Sequence, residues 1–326
     1  MVEYIRVSIG TAAVLGLSRI RMAASPTTAY LMTYYPGKCL AKCSFCTQSS
    51  ASITDAQYLS RVCWPKFKFS DVVKALSSCK EFKRICLQTI IYPNMIQDAV
   101  EIVSTLKSRT ALPISVSVHP KSVDDVKLLI NAGADRIGIG LDVATPELFK
   151  KIKRPFSWDR TLKFIEDSIK FLGEGRLTCH LIYGLGDTDE SFLKLIYKLM
   201  KKGVFTSLFA FTPMEGTPLE NLPPPNPSKY RAIQLAHYLI TNKIADISDF
   251  KFQNGDLVGI SLEKKLLVEV IESGKPFITR GCPNCNRPFY NESPRGPIYN
   301  YPSIEWVKKD INIIKLQLKQ VLGEII

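Results

Sequence analysis

The run Tyr34-Tyr35-Pro36-Gly37-Lys38-Cys39-Leu40-Ala41-Lys42-Cys43-Ser44-Phe45-Cys46 sets three cysteines at spacing C-x3-C-x2-C. An apolar segment, residues 27–34, leads into it, and a polar loop, residues 47–54, follows. Three thiolates on one short loop suit three irons of a cubane iron–sulfur cluster, because soft sulfur ligands match such sites. The fourth iron is then without a protein ligand, and an open metal position is where a small molecule binds and reacts. A zinc knuckle is the competing reading, although zinc sites usually pair C-x2-C with a second such pair or with histidines.

Outward from this loop, strand-like and helix-like segments alternate. Residues 27–34, 82–91, 112–118, 134–141, 176–183 and 205–211 read as strands. Helices are expected over residues 71–78, 94–109, 121–132, 157–172 and 187–202, and Thr145-Pro146-Glu147 begins another. Ser70 is expected to cap the first, Gly133 to end the third, and Pro146 to occupy a first helical position. Such alternation implies an α/β fold of parallel βαβ units, with chemistry where the strands end. Residues 1–26 read as a partly helical lead-in, and residues 51–68 as a loop. The domain reading is a barrel over residues 27–225 and an extension over 226–326. Within the extension, residues 275–302 are rich in Cys, Pro and Gly, and a last helix is expected over 304–323.

The 326 residues are 46% hydrophobic and 22% charged, ordinary values for a globular chain with a sizeable core. No apolar run reaches the length of a membrane span, and Ile9 to Leu17 lacks the features of a signal peptide. A cytoplasmic protein is expected, in which nine clustered cysteines point to metal rather than to disulfides. The net charge of +13 fits either a lysine-rich solvated surface or an acidic partner. Nucleic acid is not expected, since no Arg-rich or aromatic-interleaved segment stands out.

The cysteine spacing, with Phe45 before the last cysteine, resembles the signature of the radical S-adenosylmethionine (SAM) superfamily. The six βα units resemble the partial (βα)6, TIM-like barrel of that superfamily. The resemblance implies a 4Fe-4S cluster on Cys39, Cys43 and Cys46, and SAM chelated to its open iron. Reductive cleavage of SAM would then yield methionine and a 5′-deoxyadenosyl radical. Other stretches are similar to biotin and lipoyl synthases. By that resemblance Asp142, at the end of the fourth strand, contacts the SAM ribose, and Arg160 the SAM carboxylate. Both jobs suit the chemistry, an acceptor for vicinal hydroxyls and a planar fork for a carboxylate. The plainer readings are a cap for Asp142 and a surface ion pair for Arg160. Ile182-Tyr183-Gly184-Leu185-Gly186-Asp187 resembles the adenine-site segment, with Ile182 and Gly184 against the ring and Asp187 where glutamate is usual. Glu215-Gly216-Thr217-Pro218-Leu219 is similar to the loop after the sixth strand. Gln88, in Leu87-Gln88-Thr89, is the candidate contact to the SAM amino group, since the Gly-Gly-Glu motif common there is absent.

The remaining cysteines bear on the reaction. Gly281-Cys282-Pro283-Asn284-Cys285-Asn286-Arg287 is a C-x2-C knuckle, and two thiolates alone complete neither a tetrahedral site nor a cluster. The match to biotin synthase puts Cys86, on the second strand, where that enzyme has an auxiliary-cluster ligand; Cys179 is offset by one residue, which on a strand reverses the face. Buried structural cysteine is the alternative for both, and Cys63 and Cys79 carry no motif. His119 is expected to face the site, whereas His180 reads as a core residue.

Two clusters suggest sulfur insertion at an unactivated C–H carbon. The tail is similar to archaeal biotin-synthase-related proteins, including two-component lipoyl synthases. That likeness implies a lipoyl synthase component acting on octanoyl-lysine of an acidic lipoyl carrier protein or domain. It also implies a homologous radical SAM partner and an electron donor such as ferredoxin. Biotin synthase acting on dethiobiotin is the first alternative, although the third strand, Ile114-Ser115-Val116-Ser117, has no cysteine. Radical modification of RNA and a non-catalytic iron–sulfur electron carrier are the others.

Overall fold

A computed structural model describes residues 1–323. Six parallel strands form its centre: Thr28–Thr33, Arg84–Gln88, Ile114–Ser117, Arg136–Asp142, Leu177–Tyr183 and Phe205–Ala210. They lie side by side in chain order. Registers such as Met32↔Gln88, Gln88↔Ser117 and Tyr183↔Ala210 bring their C-terminal ends to one rim. Every residue of Thr28–Thr33 is buried, as expected where a parallel sheet is covered on both faces. The sixth strand does not pair with the first, so the barrel is partial.

The expected helices all form. Asn94, Thr145, Ser157 and Thr188 stand at the N-caps of Met95–Arg109, Pro146–Ile152, Trp158–Leu172 and Asp189–Lys201. Ser122 makes a capping box with Asp125 at the start of Val123–Asn131. Three segments differ from expectation. Tyr4–Val7 is a strand that extends the sheet antiparallel to the first barrel strand, and its other edge pairs with Lys66–Lys68. Tyr58–Leu59 and Val62–Cys63 form a small hairpin inside what reads as loop. The helix Phe69–Ser78 begins at Phe69, so Ser70 lies within its first turn instead of capping it. Short edge strands with polar alternation carry little periodic signal, which is why the sequence conceals them.

The C-terminal third is built onto the open side. Helix Pro227–Thr241 is buried on nearly all faces and packs against the terminal helix Ile304–Leu322. Buried Arg231 ties them, donating from Nε to Gln317 at 3.1 Å and from its other nitrogens to Gln234 and to the carbonyls of Ile298 and Tyr299. Residues 279–291 then cross the gap between sixth and first strands. Asn286 accepts the Thr27 N–H at 3.0 Å and donates to Ser25 O at 2.9 Å. On the other side Arg287 Nη2 reaches Leu208 O at 3.2 Å, and Thr212 donates to Asn291 O at 2.8 Å. The knuckle thus stands where a full barrel would have further strands. No helix of the described residues is long and apolar enough to cross a membrane.

Candidate active site

The three-cysteine loop is held over the rim by backbone bonds. Leu40 N–H donates to Ile91 O, Cys39 N–H to Gln48 O and Ser44 N–H to Ile152 O, each at 2.9 Å. Cys43 lies opposite Lys153 in a two-residue antiparallel ladder. The Ile91 N–H points at Cys39 Sγ at 3.2 Å, the kind of donor that stabilises a thiolate. Burial pushes the Cys43 thiol up to about 11 and the Cys46 thiol up to about 12. Loading a metal group here therefore displaces protons. Among the described residues no three His, Cys, Asp or Glu side chains converge on a point that would hold a single ion. A four-iron cluster is larger than an ion, and its ligands stand correspondingly further apart.

Beneath the loop, inside the barrel, lies a cavity of about 260 Å³. Phe45 and Cys46 line one part of it, with Gln88, Asp142 and Ile182 from three strands. Cys86, Cys282 and Cys285 line the same cavity. Two thiols from a knuckle some 200 residues distant thus meet one on the second strand, because the knuckle fills the gap in the barrel. The Cys86 thiol is pushed up to about 12, by burial first and then by the charges of Cys282 and Cys285. Gln88 Nε2 lies 3.0 Å from Cys86 Sγ. Four of the six residues expected to bind SAM therefore share one cavity with all three expected auxiliary thiols.

The other two go elsewhere. Arg160 lines a separate cavity of about 520 Å³, together with His119, Lys121, Asp125, Phe156 and Ser157. There the His119 ring lies 3.7 Å from Phe156, and burial lowers the imidazole to about 3. Gly184, at φ 105°, is closed in by Pro225: an added Cβ would stand 3.1 Å from its ring. Its conformational freedom serves packing. His180 and Ile182 face the cavity, so Cys179 and Leu181 face away. Cys179 is fully buried.

Sequence reading missed four residues. Lys153 is buried with its Nζ 2.6 Å from Asp142 Oδ2. Burial alone would lower its pKa, but the Asp142 carboxylate beside it raises it. In the run Lys150-Lys151-Ile152-Lys153-Arg154 it looks like one more solvated base. His180, pushed down to about 3 by burial, faces the cavity and needed only the period of two along the fifth strand to be found. Tyr30 and Arg287 also line the cavity. The Arg287 guanidinium lies 3.6 Å over the Phe209 ring, and its Nε and Nη1 are buried without a protein acceptor. Unpaired cationic N–H groups beside three thiols fit an anionic group, as a thiolate-bound cluster would be.

The model of the radical SAM superfamily matches residues 34–199, about half of the chain. A biotin synthase of Persephonella marina is 31% identical over 190 residues, covering 56% of this chain and 54% of that protein. A biotin synthase of Chlamydia pneumoniae is 28% identical over 207 residues, covering 60% of each. The chain thus spans roughly half to three-fifths of the length of these curated relatives. Among solved structures, the FeFe-hydrogenase maturase HydG superposes with a TM-score of 0.53 at 15% identity, covering 66% of this chain and 50% of that one. That likeness bears on the fold alone.

Proposed function

Because the chain belongs to the radical SAM superfamily and is biotin synthase-like, we propose that it inserts sulfur at an unactivated C–H carbon, as a lipoyl synthase component acting on an octanoyl-lysine. The superfamily's 4Fe-4S cluster and SAM supply a carbon-centred radical oxidant when bound. Cys39, Cys43 and Cys46 would hold that cluster. Phe45, Gln88, Asp142 and Ile182 would line the nucleotide, with Asp142 accepting from ribose hydroxyls. Arg160, the candidate for the SAM carboxylate, lines a separate cavity. Cys86, Cys282 and Cys285 would hold a second iron–sulfur cluster, the source of sulfur.

The observation that carries the reading is the meeting of these three thiols with Cys46 and Asp142 in one cavity. A cavity that mixes apolar walls with Cys46 and the three further thiols would exclude water around an acyl chain and would bring its carbons near both cysteine groups. The chain's net charge of +13 favours an acidic carrier protein and an acidic electron donor. A homologous second protein belongs to the same reading. Biotin synthase, acting on dethiobiotin, is the second reading, favoured by the named relatives.

The test is anaerobic reconstitution with iron and sulfide counted, followed by SAM with either an octanoylated carrier peptide or dethiobiotin. Sulfur in the octanoyl chain supports the first reading, and product from dethiobiotin alone selects the second. Iron of about four per chain, the complement of one cubane, removes the sulfur-donating cluster.

A further inference from the structure

The ion pair of Lys153 and Asp142 is unusual for its surroundings. Both side chains are nearly inaccessible, 6% and 9% exposed, with Nζ 2.6 Å from Oδ2. Nζ also donates to Gly140 O at 2.5 Å and stands within 6 Å of the Phe149 and Phe156 ring centres. A buried ammonium with two oxygen partners and aromatic walls has few other positions available to it. Asp142 is a non-glycine residue at φ 69°, a left-handed conformation that the surrounding structure must hold in place. Gly140 makes the room: a Cβ there would stand 3.2 Å from both Asp142 oxygens and from Nζ.

The backbone of Lys153 is committed as well. It pairs with Cys43, Arg154 pairs with Lys42, and the preceding Ile152 O accepts Ser44 N–H at 2.9 Å. One residue thus joins the thiol loop through its main chain and the fourth-strand carboxylate through its side chain. Since Lys153 takes Oδ2, Oδ1 is the oxygen available to a hydroxyl in the cavity that Asp142 lines. A carboxylate without this cation would be free to turn, and buried charge without a partner would withdraw from the cavity or take up water.

We propose that Lys153 is a positioning residue which fixes Asp142 against the thiol loop and thereby sets the preference of the site for a nucleoside bearing vicinal ribose hydroxyls. The proposal rests on reading Asp142 as the acceptor of those hydroxyls. It adds a requirement that neither the three cysteines nor Asp142 carries alone. The loop that holds the cluster and the oxygen that holds the ribose are registered to each other by one ammonium.

The probes are S-adenosylhomocysteine and its 2′,3′-dideoxy analogue, titrated calorimetrically into the anaerobically reconstituted protein. The ratio of the two affinities reads the diol contact and cancels general loss of folded protein. The wild-type protein is expected to prefer the diol at least tenfold. In Lys153→Met the ratio is expected to fall toward one while the dideoxy affinity stays unchanged. Gly140→Ala keeps both charges but crowds the pair, and is expected to lower the same ratio, which covers the case in which Lys153→Met does not fold. A wild-type ratio in either folded variant overturns the proposal. Asp142→Asn separates the two levels: if it keeps the wild-type ratio, the reading of Asp142 itself fails. If it loses the ratio while Lys153→Met retains it, only the role of Lys153 fails.

Discussion

The Sγ of Cys285 lies 3.3 Å from the phenolic oxygen of Tyr30, and that oxygen accepts the backbone N–H of Arg287 at 2.9 Å. One hydroxyl on the first strand thus fastens the knuckle across the open side of the barrel. Tyr30→Phe keeps the ring packed against Tyr290, whose centroid is 4.9 Å away, but leaves the Arg287 N–H without that acceptor. A buried unmet donor costs about 1–3 kcal/mol, and loss of that size in unfolding free energy is expected by denaturant titration. Iron retained by the knuckle should fall in the same variant, with the Cys39-Cys43-Cys46 loop still loaded.

The two cysteine groups are separable by chemistry. Cys285→Ala and Cys86→Ala are each expected to bring iron down to about four per chain, the content of one cubane. Deoxyadenosine should still form from SAM under reducing conditions, and on the proposed reaction any sulfur-containing product should disappear. Cys46→Ala should abolish both. Iron unchanged in Cys285→Ala would remove the knuckle from any cluster. Parallel measurement of iron, deoxyadenosine and product on the three variants decides the assignment.

Much of this was legible because it is local. The barrel strands and helices follow from apolar runs and start signals such as Thr145-Pro146, which act within a few residues. The thiol loop is legible because all three cysteines fall within eight residues. The meeting of Cys86 with Cys282 and Cys285 rested on resemblance, since the knuckle's place depends on tertiary contacts such as Asn286 with Ser25 and Thr27. Lys153 escaped for the opposite reason. Its neighbours make it look solvated, and only the folded register with Cys43 and the missing Cβ of Gly140 bury it. Arg160 is a case where chain position and spatial position diverge: it follows its cap, Ser157, onto another cavity.

Glu292 predicts a pH dependence with a definite sign. The carboxyl is 3% exposed; Oε1 accepts the Asn300 N–H at 3.3 Å, and Oε2 has no partner. Burial raises it to about 7 from an ordinary 4.5. The folded state therefore favours the neutral form. Its contribution to stability is complete below about pH 4.5 and is lost as pH rises through about 7. Glu292→Gln removes that dependence and supplies an amide where Oε2 stood. The variant is expected to gain on the wild type progressively from pH 4.5 to 7 and to level off above that, by up to about 3 kcal/mol. Unfolding free energies of the metal-free proteins at pH 5 and pH 8 check it; equal differences at the two values would show that Glu292 does not titrate in this range.

Gly138 gives a prediction about the cavity itself. A Cβ at this position would stand 3.0 Å from His180 Nε2 and 3.1 Å from its Cε1. The His180 ring, which is neutral near pH 7 because burial lowers it to about 3, lies over the fourth strand in the space that glycine leaves. With alanine there the ring must move, and the free direction is into the cavity that it lines with Ile182 and Phe209. Overpacking of this kind costs about 1–3 kcal/mol. Gly138→Ala is therefore expected to lower the melting temperature and, on the proposed reaction, to raise KM for the acceptor more than it lowers kcat, because the cysteines that line the same cavity are themselves unchanged. Gly138→Ala combined with His180→Ala should recover the stability, since the crowded ring is gone. If the double variant stays as unstable as the single, the close approach of the ring to the strand is not what glycine provides.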